Sequence, residues 1–303
     1  MKVLDLIAKY GAAAQSMLIP LGDRALMNGN VWFVNSAATG AQDADNGVHG
    51  HSWETPLATL DYAITLCTAS LGDVILLAPT HAETVASAGD ITIDKIGVTI
   101  IGLGSGSFRP TFTWSTTAST FLITAANVSI SNIITQVSVD SVVVMFTVSA
   151  AGASFDRVDF VETSAKQALI FLNTTADGDD LVIKNCKHDQ VAAGSAKWID
   201  LVGADRATIV NNTFNIQAST HIVGGTTTES LMVNIHNNKF VNPADAASLV
   251  LLASSTGLVT GNIAAGAKTA IAGTFALAGA YGAENYALNT ANKSGILDPV
   301  ADS

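Results

Sequence analysis

A short pattern that returns about every 27 residues constrains this chain more than any other feature. The segments GVTIIGL (97–103), NVSISNI (127–133), ASFDRV (153–158), LVIKNC (181–186), TIVNNT (208–213), NIHNNK (234–239) and LVTGNI (258–263) align on Gly102, Asn132, Arg157, Asn185, Asn212, Asn238 and Asn262. Successive spacings are 30, 25, 28, 27, 26 and 24, and five of the seven aligned positions are Asn. The unit is a short alternating strand, which excludes helical repeats. A propeller blade needs roughly 40 to 45 residues, too many for this period. Second strands precede the aligned residue in successive repeats, among them FLIT (121–124), VVVMFTV (142–148), ALIFLN (168–173) and SLVLLA (248–253). The spacing therefore predicts an all-β chain: a parallel β-helix, a solenoid of about seven or eight coils over residues 31–265.

In such a stack each inward side chain rests on its counterpart in the next coil. Ile, Val, Phe and Leu then form columns, and each buried one contributes roughly 1.5–3 kcal/mol. A buried Asn at a bend is tolerated because the Asn of the neighbouring coil and nearby backbone groups satisfy it; unpaired, it costs about 1–3 kcal/mol. Asn132, Asn185, Asn212, Asn238 and Asn262 are accordingly expected to form a structural column.

Outside the repeat, residues 1–30 read as an N-terminal arm and 266–303 as an Ala/Gly-rich C-terminal segment. Asp5 and Lys9 interrupt the opening apolar stretch, so the start does not read as a secretion signal. The stretch HSWETPLATLDYAITLCTASLGDVILLAPTHAET (51–84) concentrates His, Asp, Glu and Cys. A helix near 55–68 accounts for much of it. Thr55 is the expected N-cap, Pro56 the first helical residue, and Leu57, Leu60, Ile64 and Cys67 one apolar face over the end of the stack. On this reading Asp61 faces outward, and His51 and His81 flank the helix in loops.

The entry segment, with Val34-Asn35, Asp43 to Gly47, Trp53, Thr55-Pro56, Thr59-Leu60, Ala63 and Gly72-Asp73, resembles that of the pectin-lyase-like right-handed β-helix superfamily. Together with APTHAET (78–84) and AGAYGAENYALNTANKSGILDP (278–299), it looks more narrowly like structural proteins of tailed bacteriophages. That resemblance implies a non-enzymatic virion protein: a homotrimeric capsid decoration, or cement, protein. Its partners would be itself and the major capsid protein. It would be made in the host cytoplasm and carried on the capsid exterior. The superfamily also implies two alternatives, a tailspike-like polysaccharide-binding or depolymerising β-helix and a tail or fibre component.

Chemical signals are sparse. The chain has a net charge of −11 and fourteen scattered Lys and Arg, which argues against nucleic acid. No apolar run reaches the roughly 18 residues of a membrane span. Pectate lyases of the resembled fold use acidic calcium ligands and an Arg base; here Arg157 lies between Asp156 and Asp159, and a surface acid–Arg pair is the simpler expectation. Asp177, Asp179 and Asp180 could supply paired carboxylates, but TADGDD reads as a turn. His49 and His51, with Asp43 and Asp45, lack the ligand count and spacing of a zinc site, and the calcium-loop spacing is also missing. No catalytic residue, cofactor or metal is expected. Cys67 and Cys186 read as buried free thiols.

Overall fold

A computed structural model describes residues 29–163, 166–267, 274–289 and 296–297. The described residues form a parallel β-solenoid of about eight turns with almost no helix. Three columns of parallel strands run its length. The first column starts at Val31–Val34 and continues through Val74–Leu77 and Thr99–Gly102 to Gly257–Thr260 and Tyr281–Ala283. The second runs from Ala82–Val85 and Thr111–Trp114 to Lys239–Asn242, Ile263–Gly266 and Asn285–Asn289. The third runs from Ala88–Ile93 and Thr120–Ile123 to Leu249–Val250 and Phe275–Ala276. Between strands the one antiparallel pairing sets Asn285–Tyr286 against Ile296–Leu297, across the edge of the last rung among the described residues.

Alternation explains the columns. In Thr120–Ile123, Phe121 and Ile123 are buried while their neighbours are partly exposed, and most rungs repeat the pattern. The interior is a continuous aromatic and aliphatic stack: Phe112, Phe121 and Phe146 are in ring contact in sequence, as are Phe171, His188, Phe214, Phe240 and Phe275.

The corner between the first and second columns explains the Asn repeat and corrects its register. One residue per coil adopts a left-handed conformation there: Asn132 (φ 59°), Arg157 (55°), Asn185 (57°), Asn211 (58°), Asn237 (58°), Gly261 (65°) and Glu284 (54°). Asn tolerates that conformation better than most residues. The following residue turns inward, and only that position carries the buried ladder: Asn212, Asn238, Asn262 and Asn285. Asn132 and Asn185, expected in the column, instead occupy the corner, Asn132 partly exposed and Asn185 exposed. Asn132 donates to the carbonyls of Gly102 and Gly104, and Asn185 donates to Asp156 Oδ1 at 2.9 Å. Asn is chosen at two adjacent positions for two different reasons, and so an alignment on Asn alone slips by one residue.

The boundary expected at 265 also moves. Phe275–Ala276, Tyr281–Ala283 and Asn285–Asn289 add rungs to all three columns. The expected N-terminal arm lies outside the described residues except for Gly29 and Asn30. Asn30 N–H donates to Asp73 Oδ1 at 2.6 Å, and Thr68 N–H donates to Asp73 Oδ2 at 2.7 Å, so the buried Asp73 ties the chain's entry to the loop after the helix.

Candidate functional site: a polar cleft beside the short helix

The helix spans Leu60–Leu66, starting later than Thr55 and Pro56 would set it. Two bonds hold the preceding segment extended. Leu57 pairs with the first strand, donating to Phe33 O at 2.8 Å and accepting from Asn35 N–H at 2.9 Å. Asp43 then gathers the N–H groups of Ala58 and Thr59 and the hydroxyl of Thr59. Thr59 is the N-cap, its Oγ1 accepting from Tyr62 N–H. Thr55 instead donates its hydroxyl to Val48 O. Leu57, Leu60, Ala63, Ile64 and Cys67 are buried in the main core, and the helix packs on the first strands of the stack.

A cleft of about 480 Å³ opens beside this helix, lined by Ser36, Thr59, Asp61, Glu83, Thr84 and Asp90 with Ala58 and Ala82. His81 lies behind it. This residue lies in a loop, as expected, just before the strand Ala82–Val85, and it is fully buried. Its Nδ1 accepts from Ser36 N–H at 3.0 Å, which leaves Nε2 to donate to Glu83 Oε2 at 3.1 Å. Glu83 Oε2 also accepts the N–H of Leu60, one of the donors a helix start leaves unpaired. Asp90 accepts from Ala86 N–H and from the Ser87 hydroxyl. Asp61 is half-buried in the cleft, its Oδ1 accepting from Thr92 N–H at 3.3 Å. Burial pushes its carboxyl above the ordinary aspartate range; the charges of Asp90, Asp94 and Asp43 add to the push, while the Thr92 bond opposes it.

The other sequence candidates lie apart from this cleft. Asp159 accepts from Arg109 Nη2 at 2.6 Å and from Lys187 N–H at 2.8 Å. Arg157 stands 3.8 Å from Asp156 at a solvated corner. Arg206 clamps Asp180 with two bonds and Asp179 with one. His49 bonds Asn46, and His51 lies over Trp32 with ring centroids 5.0 Å apart. Among the described residues no group of three His, Cys, Asp or Glu is placed to hold a metal ion. Cys67 and Cys186 are buried free thiols; burial pushes Cys186 up to about 12 and Cys67 higher still. No described helix is long and apolar enough to cross a membrane.

Sequence reasoning missed two buried histidines. Trp198 Nε1 donates to His188 Nδ1 at 2.6 Å, and His188 Nε2 donates to Val158 O at 2.9 Å. His221 is fully buried, 3.9 Å from Asp200, which in turn pairs with Lys197 at 2.8 Å. Their only sequence signal was a polar residue at an inward register, and it could be read only once the register was fixed.

Fold and cleft together define a parallel β-solenoid with a polar cleft beside its short helix. No protein-family model matches the chain, and no curated protein matches it. Among solved structures it is similar to a rhamnogalacturonan lyase, with 11% identity over 80% of this chain and 74% of that one and a TM-score of 0.44. A GH136 lacto-N-biosidase from Eubacterium ramulus follows, with 10% identity over 94% of this chain and 71% of that one and a TM-score of 0.24.

Proposed function

We propose that this chain is a non-enzymatic structural protein of a virion, a homotrimeric decoration protein that stabilises a phage capsid from its outer surface. What supports the reading is how the acidic groups in the cleft and Asp43 beside it are used. Asp43, Asp61, Glu83 and Asp90 all accept main-chain N–H groups, so they hold the entry segment and the first coils in place. A carboxylate occupied in that way is poorly suited to protonate a leaving group or to activate water. The resemblance of the entry and C-terminal segments to tailed-phage proteins supplies the virion and capsid part of the reading. A rigid solenoid that binds across neighbouring subunits stabilises the bound shell by mass action.

Light scattering on the purified chain, followed by cosedimentation with capsid shells of the encoding phage, tests this. A trimer that sediments with shells is the expected result. A monomer that stays in the supernatant overturns it.

One observation favours the polysaccharide reading: the raised Asp61 beside other carboxylates is the pattern of a general acid next to a base. Release of reducing sugar or unsaturated uronate from host polysaccharide, abolished by Asp61→Asn, would establish it.

A further inference from the structure

The outward faces of the first two columns change character on the last two coils. In the second column the outward register runs Lys187, Thr213 and Lys239, then Ile263 and Tyr286. Beside it, Asp189 and Asn215 give way to Val241, Ala265 and Leu288. In the first column Thr208 and Asn234 give way to Leu258 and Tyr281. Tyr281 is 76% exposed, and Leu258, Ile263, Tyr286 and Leu288 lie between 42% and 47%. The described residues of these coils, 257–267 and 274–289, carry a single charged side chain, Glu284 at the corner between the two faces.

Across the two faces that meet at the Glu284 corner, these five side chains together expose on the order of 500 Å² of mostly apolar surface, comparable with the largest apolar patches that monomers leave uncovered. A stable interface buries roughly 800 Å² per partner, so the patch supplies more than half of one.

We propose that Leu258, Ile263, Tyr281, Tyr286 and Leu288 form the surface through which one copy of this chain packs side by side against another. The proposal rests on the reading of the chain as an assembly protein that partners itself. Charge selects the occupant. Each copy carries −11, so two copies repel over most of their surface and meet at least cost where the described residues carry almost no charge. An apolar patch needs no complementary charge on the surface it meets, so a second copy of the same acidic chain can supply that surface. At the end of the stack, Ile296–Leu297 already pairs along the final rung of the second column.

Sedimentation velocity on the full chain decides it. The wild type is expected to be an oligomer, and the double variant Ile263→Glu/Tyr281→Glu a monomer with unchanged circular dichroism. Thr213→Glu/Asn234→Glu, on the same faces but on earlier coils, is expected to remain an oligomer. If the first variant fails to fold, Leu258→Ser/Tyr281→Ser takes its place. A wild type monomeric at every concentration overturns the proposal, as does a folded patch variant that stays oligomeric. So does self-association that appears only after deletion of residues 290–303, because the chain's own tail would then be the occupant. Cosedimentation separates this from the virion reading. A patch-dependent oligomer that never binds shells sinks only the latter, and a shell-bound chain whose patch variant stays oligomeric sinks only the former.

Discussion

The carboxamide oxygen of Asn238 accepts both the main-chain N–H and the side-chain amide of Asn212, each at 3.0 Å. The amide of Asn238 in turn donates to Ile209 O at 2.8 Å and to Asn262 Oδ1 at 3.0 Å. Both residues are almost wholly buried, so each rung of the ladder depends on the one beyond it.

Asn238→Ala should therefore cost several times what an exposed Asn costs. It strands the Asn212 N–H and the Ile209 carbonyl, and about 1–3 kcal/mol for each such group gives a loss of roughly 2–6 kcal/mol. Asn185→Gly is the contrast: this corner residue has φ 57°, a conformation Gly adopts freely, and the change should alter stability by less than about 1 kcal/mol. Urea denaturation of both variants tests the register, since a single Asn column would make the two losses similar.

Asp73→Asn should weaken the attachment of the entry segment. Both carboxylate oxygens accept main-chain N–H groups, at 2.6 and 2.7 Å, and an amide offers one of those donors an NH₂ instead of an acceptor. One unpaired buried donor costs about 1–3 kcal/mol. Faster proteolysis near residues 29–30, with the core strands still protected in hydrogen exchange, would locate the damage.

The repeat and two strands of each coil, those of the first and third columns, were legible from sequence, because stacking forces the same residue types to recur at the same place in each coil; the second column was not singled out. The helix start was less legible. Thr55-Pro56 and Thr59-Leu60 are comparable start signals locally, and what selects Thr59 is Asp43, fifteen residues upstream of Ala58. Asn285 was missed because AENYAL lies in a segment whose Ala and Gly content hid the last rungs. The cleft was invisible for a related reason: Asp61, Glu83 and Asp90 converge only after the second and third columns form.

Acidification should destabilise the fold well above the carboxylate range. Burial holds His188 and His221 down to about 4; for His188 the Val158 bond and Asp159 oppose the shift, and for His221 Asp200 opposes it while Lys197 adds to it. Both groups bind protons more readily unfolded, so their contribution is complete above about pH 6.5 and is lost as pH falls from there towards 4. At pH 5 the loss is about 2 kcal/mol per residue. Denaturation midpoints at pH 7 and pH 5 measure it, and His188→Gln should flatten part of the slope. A midpoint unchanged between the two would show that neither histidine is held neutral.

Asp61→Asn tests what the cleft is for. The folded protein holds this carboxyl above its ordinary range, so ionised Asp61 disfavours folding at neutral pH and the penalty disappears as pH falls through the folded value. An Asn side chain keeps an acceptor for Thr92 N–H and removes the charge that faces Asp90 and Asp94. The melting temperature of Asp61→Asn at pH 7 should therefore equal or exceed that of the wild type, and the difference should shrink towards pH 4. Shell binding should be unaffected if the cleft only secures the entry segment. A variant that melts higher and also loses a polysaccharide-cleaving activity would mark Asp61 as a group kept at a cost in stability for chemistry, and the structural reading would fall.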